Sequence, residues 1–283
     1  MCSGIRGVVL LFVPTVVALH CYPVKGCAGM PLRDAALRPA GVAHDRGFMV
    51  VGVDGVFHSQ RRTPRLAVIR PDIGVDGELL TLRADGADVV AIRTVLDAAR
   101  CDVTLFGVPY RAIDQGDIAA AWLSDVLGER CRLVRVPPEH DRVTDGLMPG
   151  TSGFADSSAV LVTSRSSLDG LNERIAARGD PPVPMARFRP NIVVDGWDEP
   201  HTEDGVRRMA IGDAELGFAK PAIRCVVTLV DQRTGAKAGP EPLRTLAAYR
   251  RDPEGGVAFG AKFAVSRPGK LSVGDEVVVS QWR

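Results

Sequence analysis

RFRPNIVVDGW at residues 187–197, followed by IRCVVTLVDQRTG at 223–235, is the stretch on which the reading of this chain turns. Ile223 to Val230 is a run of β-favouring residues, and Asp231 to Gly235 supplies turn chemistry behind it, so the pattern predicts a strand. On a pleat, Ile223, Cys225, Val227 and Leu229 share one face. Free cysteine is among the most buried residue types, so the bland reading of Cys225 is a small core hydrophobe. The other reading, a thiolate presented to a site, needs support from outside the strand.

Working outward, the pattern is mostly β. Thr15 to His20 reads as a first strand, ended by Pro23 and Gly26. Gly47 to Val53 and Val56 to Gln60 read as a hairpin around Asp54-Gly55, a strong short-range hairpin signal. Arg65 to Ile69, Glu78 to Leu82 and Val160 to Thr163 read as further short strands. Frequent Asp-Gly turns among short strands argue for a barrel or sandwich. Three helices are expected. One has Ile118, Trp122 and Val126 on its stripe, with Ala119, Leu123 and Leu127 beside them. A second follows Ser166, paired with Asp169 as a cap, and buries Leu168, Leu171 and Ile175. A third spans Pro242 to Arg250. Pro137-Pro138 and the Gly/Pro/Ser-rich stretch Asp145 to Ser152 mark a boundary between two halves.

The 283 residues include 46% apolar and 5% aromatic side chains, and the formal charge is +1. That is an ordinary globular composition. The 35 lysines and arginines are scattered, which argues against nucleic acid as a partner. Six cysteines (Cys2, Cys21, Cys27, Cys101, Cys131, Cys225) form no C-x-x-C pair and read as reduced thiols of a cytoplasmic protein. Val8 to Leu19 is apolar, but Pro14 interrupts it and it is too short to span a bilayer. Ala18-Leu19-His20 lacks the small residue expected before a cleavage point. Gly255 to Gly260 is followed by Ala261 where a phosphate-binding P-loop needs lysine, and no G-x-S-x-G occurs.

Several blocks resemble one family. RFRPN at 187–191, R-C-V-V-T-L-V-D-Q-R-T-G at 224–235 and YPVKG at 22–26 are the most specific. His44 to Phe48, Arg61 to Leu66, Gly153 to Asn172, Phe259 to Phe263 and Pro268 to Val277 add to them. Together they are similar to the MOSC domain and its N-terminal β-barrel. The family includes molybdenum cofactor sulfurases and the amidoxime-reducing enzymes. The resemblance covers about residues 15 to 281. It implies a mainly β, α+β fold: an extension at 1–14, a small N-terminal barrel-like domain at 15–136 and a MOSC barrel at 137–283.

The resemblance also implies a site. Cys225 would be the thiolate ligand of molybdenum, in keeping with the soft metal–sulfur pairing. Lys25, Arg46, Arg61 and Arg189 would form a cationic rim for the phosphate of molybdopterin, with Asn191 on the pterin edge, and Arg224 would help to hold the Cys225 sulfur deprotonated. Thr163 and Ser164 would offer an anion site at a helix N-terminus, although a simple capping role is equally open. Asp231 is a candidate proton donor, with a turn-forming role the stronger alternative. Gly26 and Lys262 stand where the family more often has serine and tyrosine or asparagine. The implied chemistry is reduction of small N-hydroxylated substrates, with electrons from a separate flavin, haem or iron–sulfur protein. Pyridoxal phosphate binding is a further family-level expectation. The rival readings are a sulfur-carrier or cofactor-delivery protein and a non-catalytic binding module.

Overall fold

The computed structural model describes residues 13–283; the apolar Val8 to Phe12 and most of the expected extension lie outside the described residues. The fold is mainly β, with three α-helices among the described residues. An eight-stranded sheet runs in the order Met30–Leu32, Thr15–Cys21, Ile192–Asp195, Val160–Ser164, Val257–Arg267, Ala214–Arg224, Val206–Ile211, Val277–Trp282. It is mostly antiparallel. The exception is the parallel pair Val160–Ser164 and Ile192–Asp195, which needs a crossover, and helix α2 (Arg165–Ala176) provides it. The sheet curls enough for Thr15 to bridge Glu276, and Val16 N–H donates to Asp275 O. The ends of the order approach without forming a continuous ladder.

The first described strand, Thr15–Cys21, thus sits beside strands from the second half of the chain. Asp34–Arg38 and Gly41–Val42 form a sheet with Gly269–Ser272 from the end of the chain. The remaining strands of the first half make a four-stranded sheet (Phe48–Gly52, Cys131–Arg135, Val108–Asp114, Arg100–Leu105) and a three-stranded one (Arg70–Ile73, Leu79–Arg83, Val90–Arg93). A buried cluster including Val24, Phe48, Leu66, Leu80 and Leu133 lies between these sheets and helix α1 (Asp117–Leu127).

Several local expectations are corrected. Arg65 to Ile69 is not a strand: Pro64 sits at the start of a 3-10 helix, Pro64–Val68, where proline's fixed φ suits helical entry. The Asp54-Gly55 turn forms, but Val56 to Gln60 is held only by single bridges, Val51 to Phe57 and Val56 to Thr104. In α1, Ile118 is 71% exposed, and Ala119, Ala120, Leu123 and Val126 are buried. The buried stripe is rotated from the expected one. Helix α2 begins two residues early, capped by Ser164, whose Oγ accepts from Ser167 N–H. The third expected helix, α3, spans Leu243–Tyr249.

The decisive correction concerns 223–230. The strand stops at Arg224, paired with Val257. Gly255 and Gly256 turn the partner chain away at φ 105° and 84°, so Cys225 onward has no ladder to join. The backbone closes instead into a 3-10 turn, Val226–Leu229, in which Thr228 N–H and Thr228 Oγ1 both donate to Cys225 O.

Candidate active site

That break puts Cys225 at the wall of an open cleft. Both halves of the chain build it. The first half contributes Lys25, Gly26, Arg46, Gln60, Arg61 and Phe106. The second contributes Asp156 to Ser158, Arg189, Asn191, Arg224, Cys225 and Lys262. The failed hairpin strand is what delivers Phe57, Gln60 and Arg61 to this wall.

The charge balance is one-sided. Six cations (Lys25, Arg46, Arg61, Arg189, Arg224, Lys262) line the cleft against one carboxylate, Asp156. Lys25 Nζ is paired with Asp156. Asp156 is reachable from the cleft yet ringed by protein: burial pushes its carboxyl up, but Lys25, Lys262 and Arg46 pull it well below the usual range. Burial lowers Lys25 and Arg189, brings Arg224 down to about 10 and brings Lys262 down to about 8. Desolvated cations crowded together in this way favour an anion that would relieve them.

Arg46 and Arg189 both stack on Tyr22, each 4.3 Å from its ring centroid. Both adopt left-handed backbone, at φ 47° and 56°. Arg46 is held by Asp45 Oδ2 at 2.5 Å and Asn191 Oδ1 at 3.1 Å. Asn191 is fully committed. Its Oδ1 also accepts from Leu161 N–H, and its Nδ2 donates to His20 O and Asp45 Oδ1. It positions Arg46 and leaves no group for a pterin edge. The neighbour of Cys225 in sequence is not its hydrogen-bond partner. Arg224 turns to Phe188 O at 2.6 Å, and Arg61, distant in sequence, donates to Cys225 Sγ at 3.5 Å. Gly26 has φ 82°, a conformation that disfavours serine, and its carbonyl accepts from Gln60 Nε2.

Three expected site residues lie elsewhere. Thr163 is buried, with its hydroxyl on Met185 Sδ. Ser164 caps α2 and donates to Glu203 Oε2 at 2.9 Å. The anion at that helix N-terminus is the protein's own. Asp231 Oδ1 accepts from Arg233 and Thr234 N–H, closing the turn after the 3-10 segment. Sequence reasoning did not assign Asp156, Ser157, Ser158, Gln60 or Phe106. Asp156, Ser157 and Ser158 fell inside a block that carried the family resemblance, and Gln60 and Phe106 gave no local signal.

Among the described cysteines, only Cys225 lines this cleft. Burial pushes the thiols of Cys21, Cys27, Cys101 and Cys131 up. Two further groups bear on a ligand. Ser158 Oγ and Arg224 Nε belong to residues lining the cleft, are buried and lack hydrogen-bond partners. Buried polar groups are seldom left so, and an oxygen-rich anion would satisfy both. The residues present therefore fit a phosphate-bearing group beside a thiol.

Residues 13–130 match the family described as MOSC N-terminal beta barrel domain, and residues 149–278 match the MOSC domain. The chain belongs to the MOSC family. This MOSC chain is 33% identical over 285 residues to mitochondrial amidoxime-reducing component 1 of Homo sapiens, covering 94% of this chain and 82% of that protein. It is 34% identical over 288 residues to mitochondrial amidoxime reducing component 2 of Rattus norvegicus, covering 94% and 83%. It is 30% identical over 287 residues to molybdenum cofactor sulfurase of Danio rerio, covering 93% of this chain but 34% of that protein. These relatives tie the MOSC chain to molybdenum-related function.

Proposed function

We propose that this MOSC protein binds the molybdenum cofactor, with Cys225 as the protein's ligand to the metal. We propose further that it reduces small N-hydroxylated compounds to the N–H form and water. The observation that carries the reading is the exposed side of Cys225 in a cleft of six cations and one carboxylate. Among the described residues, no three His, Cys, Asp or Glu side chains gather as an all-protein metal site needs. A metal here would rest on one thiolate and on donors of its own organic ligand.

Arg224, Arg189, Arg46 and Lys25 would hold the phosphate, with Ser158 Oγ as an added donor. When bound, the cofactor would supply a two-electron couple that takes the oxygen of an N–O bond. Converting R–NH–OH to R–NH₂ and water consumes two electrons and two protons. The electrons would come from a separate flavin, haem or iron–sulfur protein. The proton path lies in the chain: Lys262 Nζ, lowered to about 8 by burial, can hold and release a proton near neutral pH. Its partner, the Ser157 hydroxyl, can pass it on. Arg61 orients Cys225 Sγ. Among the described residues no helix is long and apolar enough to cross a membrane. A reducing, cytoplasmic setting is part of the same proposal, because the described cysteines are free thiols.

Metal and pterin contents of the wild type and Cys225→Ala test the reading. Expected are about one molybdenum per chain in the wild type and its loss in the variant, with pterin retained on the cationic wall. Pterin and metal independent of Cys225, without reduction of hydroxylamines, would instead support cofactor delivery. Neither metal nor pterin, from a host that makes both, would end the molybdenum reading.

A further inference from the structure

A bulky side chain occupies a backbone position that disfavours it, and it does so at the wall of the Cys225 cleft. Strands Arg100–Leu105 and Val108–Asp114 are joined with Leu105 opposite Val108, so the loop is only Phe106-Gly107. Both loop residues have positive φ, 53° and 80°, as in the primed hairpin turns that match strand twist. Asn, Asp and Gly serve that first position well, whereas a bulky residue there is an outlier. Among the described residues, five non-glycine positions have positive φ. Three of them, Arg46, Phe106 and Arg189, line this cleft, in keeping with backbone strain gathering at functional sites.

Arg46 and Arg189 have ionic or polar partners in place. Phe106 has no hydrogen bond or salt bridge, only Phe57 and two cations against its ring, and the core does not explain it, because the side chain is 41% exposed. Its ring meets Phe57 edge-on, with centroids 4.7 Å apart at 63°. Lys25 Nζ lies 4.9 Å and Arg61 Cζ 5.7 Å from the ring centroid. Arg61 in turn reaches Cys225 Sγ at 3.5 Å. One side chain therefore separates the exposed ring from the sulfur.

We propose that Phe106 is a specificity-determining residue: its exposed ring offers a flat apolar wall that favours neutral N-hydroxylated substrates carrying an aryl group. The inference rests on the reductase reading above and adds a substrate class to it. Aromatic pairs gain from offset or edge-on contact, and the Phe57 and Phe106 rings already meet edge-on. The cationic cleft disfavours a permanently positive substrate, and the apolar ring offers no donor to an anionic one, so a neutral N–OH compound suits this wall.

The test compares molybdenum-loaded wild type, Phe106→Asn and Phe106→Tyr on the simplest aryl and alkyl amidoximes, benzamidoxime and acetamidoxime. Asparagine suits the turn, so the Asn variant should melt at the same or a higher temperature. Its KM for benzamidoxime should rise about fivefold, with KM for acetamidoxime and both kcat values unchanged. The Tyr variant, which keeps the flat face, should restore the aryl KM. Equal changes for both substrates, or none, would overturn the proposal. A lower melting temperature with parallel losses would overturn it too, reducing the ring to a cover over Lys25. If the loaded wild type reduces neither amidoxime, the reductase reading fails. Calorimetric binding of the two compounds then judges Phe106 alone: an aryl preference lost in the Asn variant supports the wall, and equal binding overturns it.

Discussion

At the N-terminus of α2 the protein supplies its own anion, whereas the Cys225 cleft assembles cations around a single carboxylate. In the first cluster, Glu203 is completely buried and accepts hydrogen bonds from the hydroxyls of Ser164 and Ser167. Both hydroxyls sit at the start of the helix, where an anion is favoured. In the second, Lys25 and Lys262 crowd Asp156, and Ser158 Oγ and Arg224 Nε go unpaired. A helix N-terminus read alone suggests ligand binding in the first place and says nothing of the second. What distinguishes them is satisfaction: the serine hydroxyls and the carboxylate of the first cluster pair with one another, and the second holds two polar groups without a partner.

Substitutions can break or sharpen that contrast. The largest effect should come from Glu203→Ala, which leaves Ser164 and Ser167 buried without their acceptor. It should cost on the order of 3 kcal/mol, read as a lowered denaturation midpoint, while molybdenum per folded chain stays at the wild-type level. Loss of metal without loss of stability would mean that the helix terminus serves the cofactor after all. Next is Lys262→Met. Its ammonium is charged below about 8 and neutral above, so wild-type affinity for inorganic phosphate should weaken as pH rises through about 8. The variant should bind roughly tenfold more weakly at neutral pH and lack that step.

A smaller effect separates the two states of Glu203. Burial raises its carboxyl above the ordinary 4.5. Its folded pKa exceeds its unfolded one, so its contribution is fully present below 4.5 and is lost as pH rises through the folded value. Melting temperature against pH should therefore fall over that window in the wild type and stay flatter in Glu203→Gln. A wild-type curve that rises there would contradict the direction. The smallest change is Ser158→Ala. Removing a hydroxyl with no partner should alter the stability of the cofactor-free protein by no more than about 0.5 kcal/mol, yet weaken pterin retention measurably. A clear stability loss in that variant would show that Ser158 Oγ is satisfied within the fold.

Some of this was legible in the residues. The β-type run of Thr15 to His20, the β-branched run of Val160 to Thr163 and the apolar face of α2 follow from local residue type and spacing. So does the existence of α1, though its buried face was misjudged. Trp122 and Leu123 are adjacent, and only the sheet packed against the helix chooses which of them goes inside. The block around Cys225 marked the residue through its resemblance to the MOSC domain, but its local pattern pointed to an inward-facing strand position.

By itself, the sequence determined the β-rich composition of the fold and the family, and it singled out Cys225 among the thiols. The tertiary structure decided that Cys225 faces a cleft, because the glycine turn at 255–256 withdraws the neighbouring strand and no ladder remains to bury it. It also decided that Arg61 and not Arg224 meets the sulfur, that Glu203 fills the helix N-terminus, and that a strained Phe106 stands at the wall. Each of these depends on contacts between residues far apart in the chain, and no local pattern of side chains encodes them.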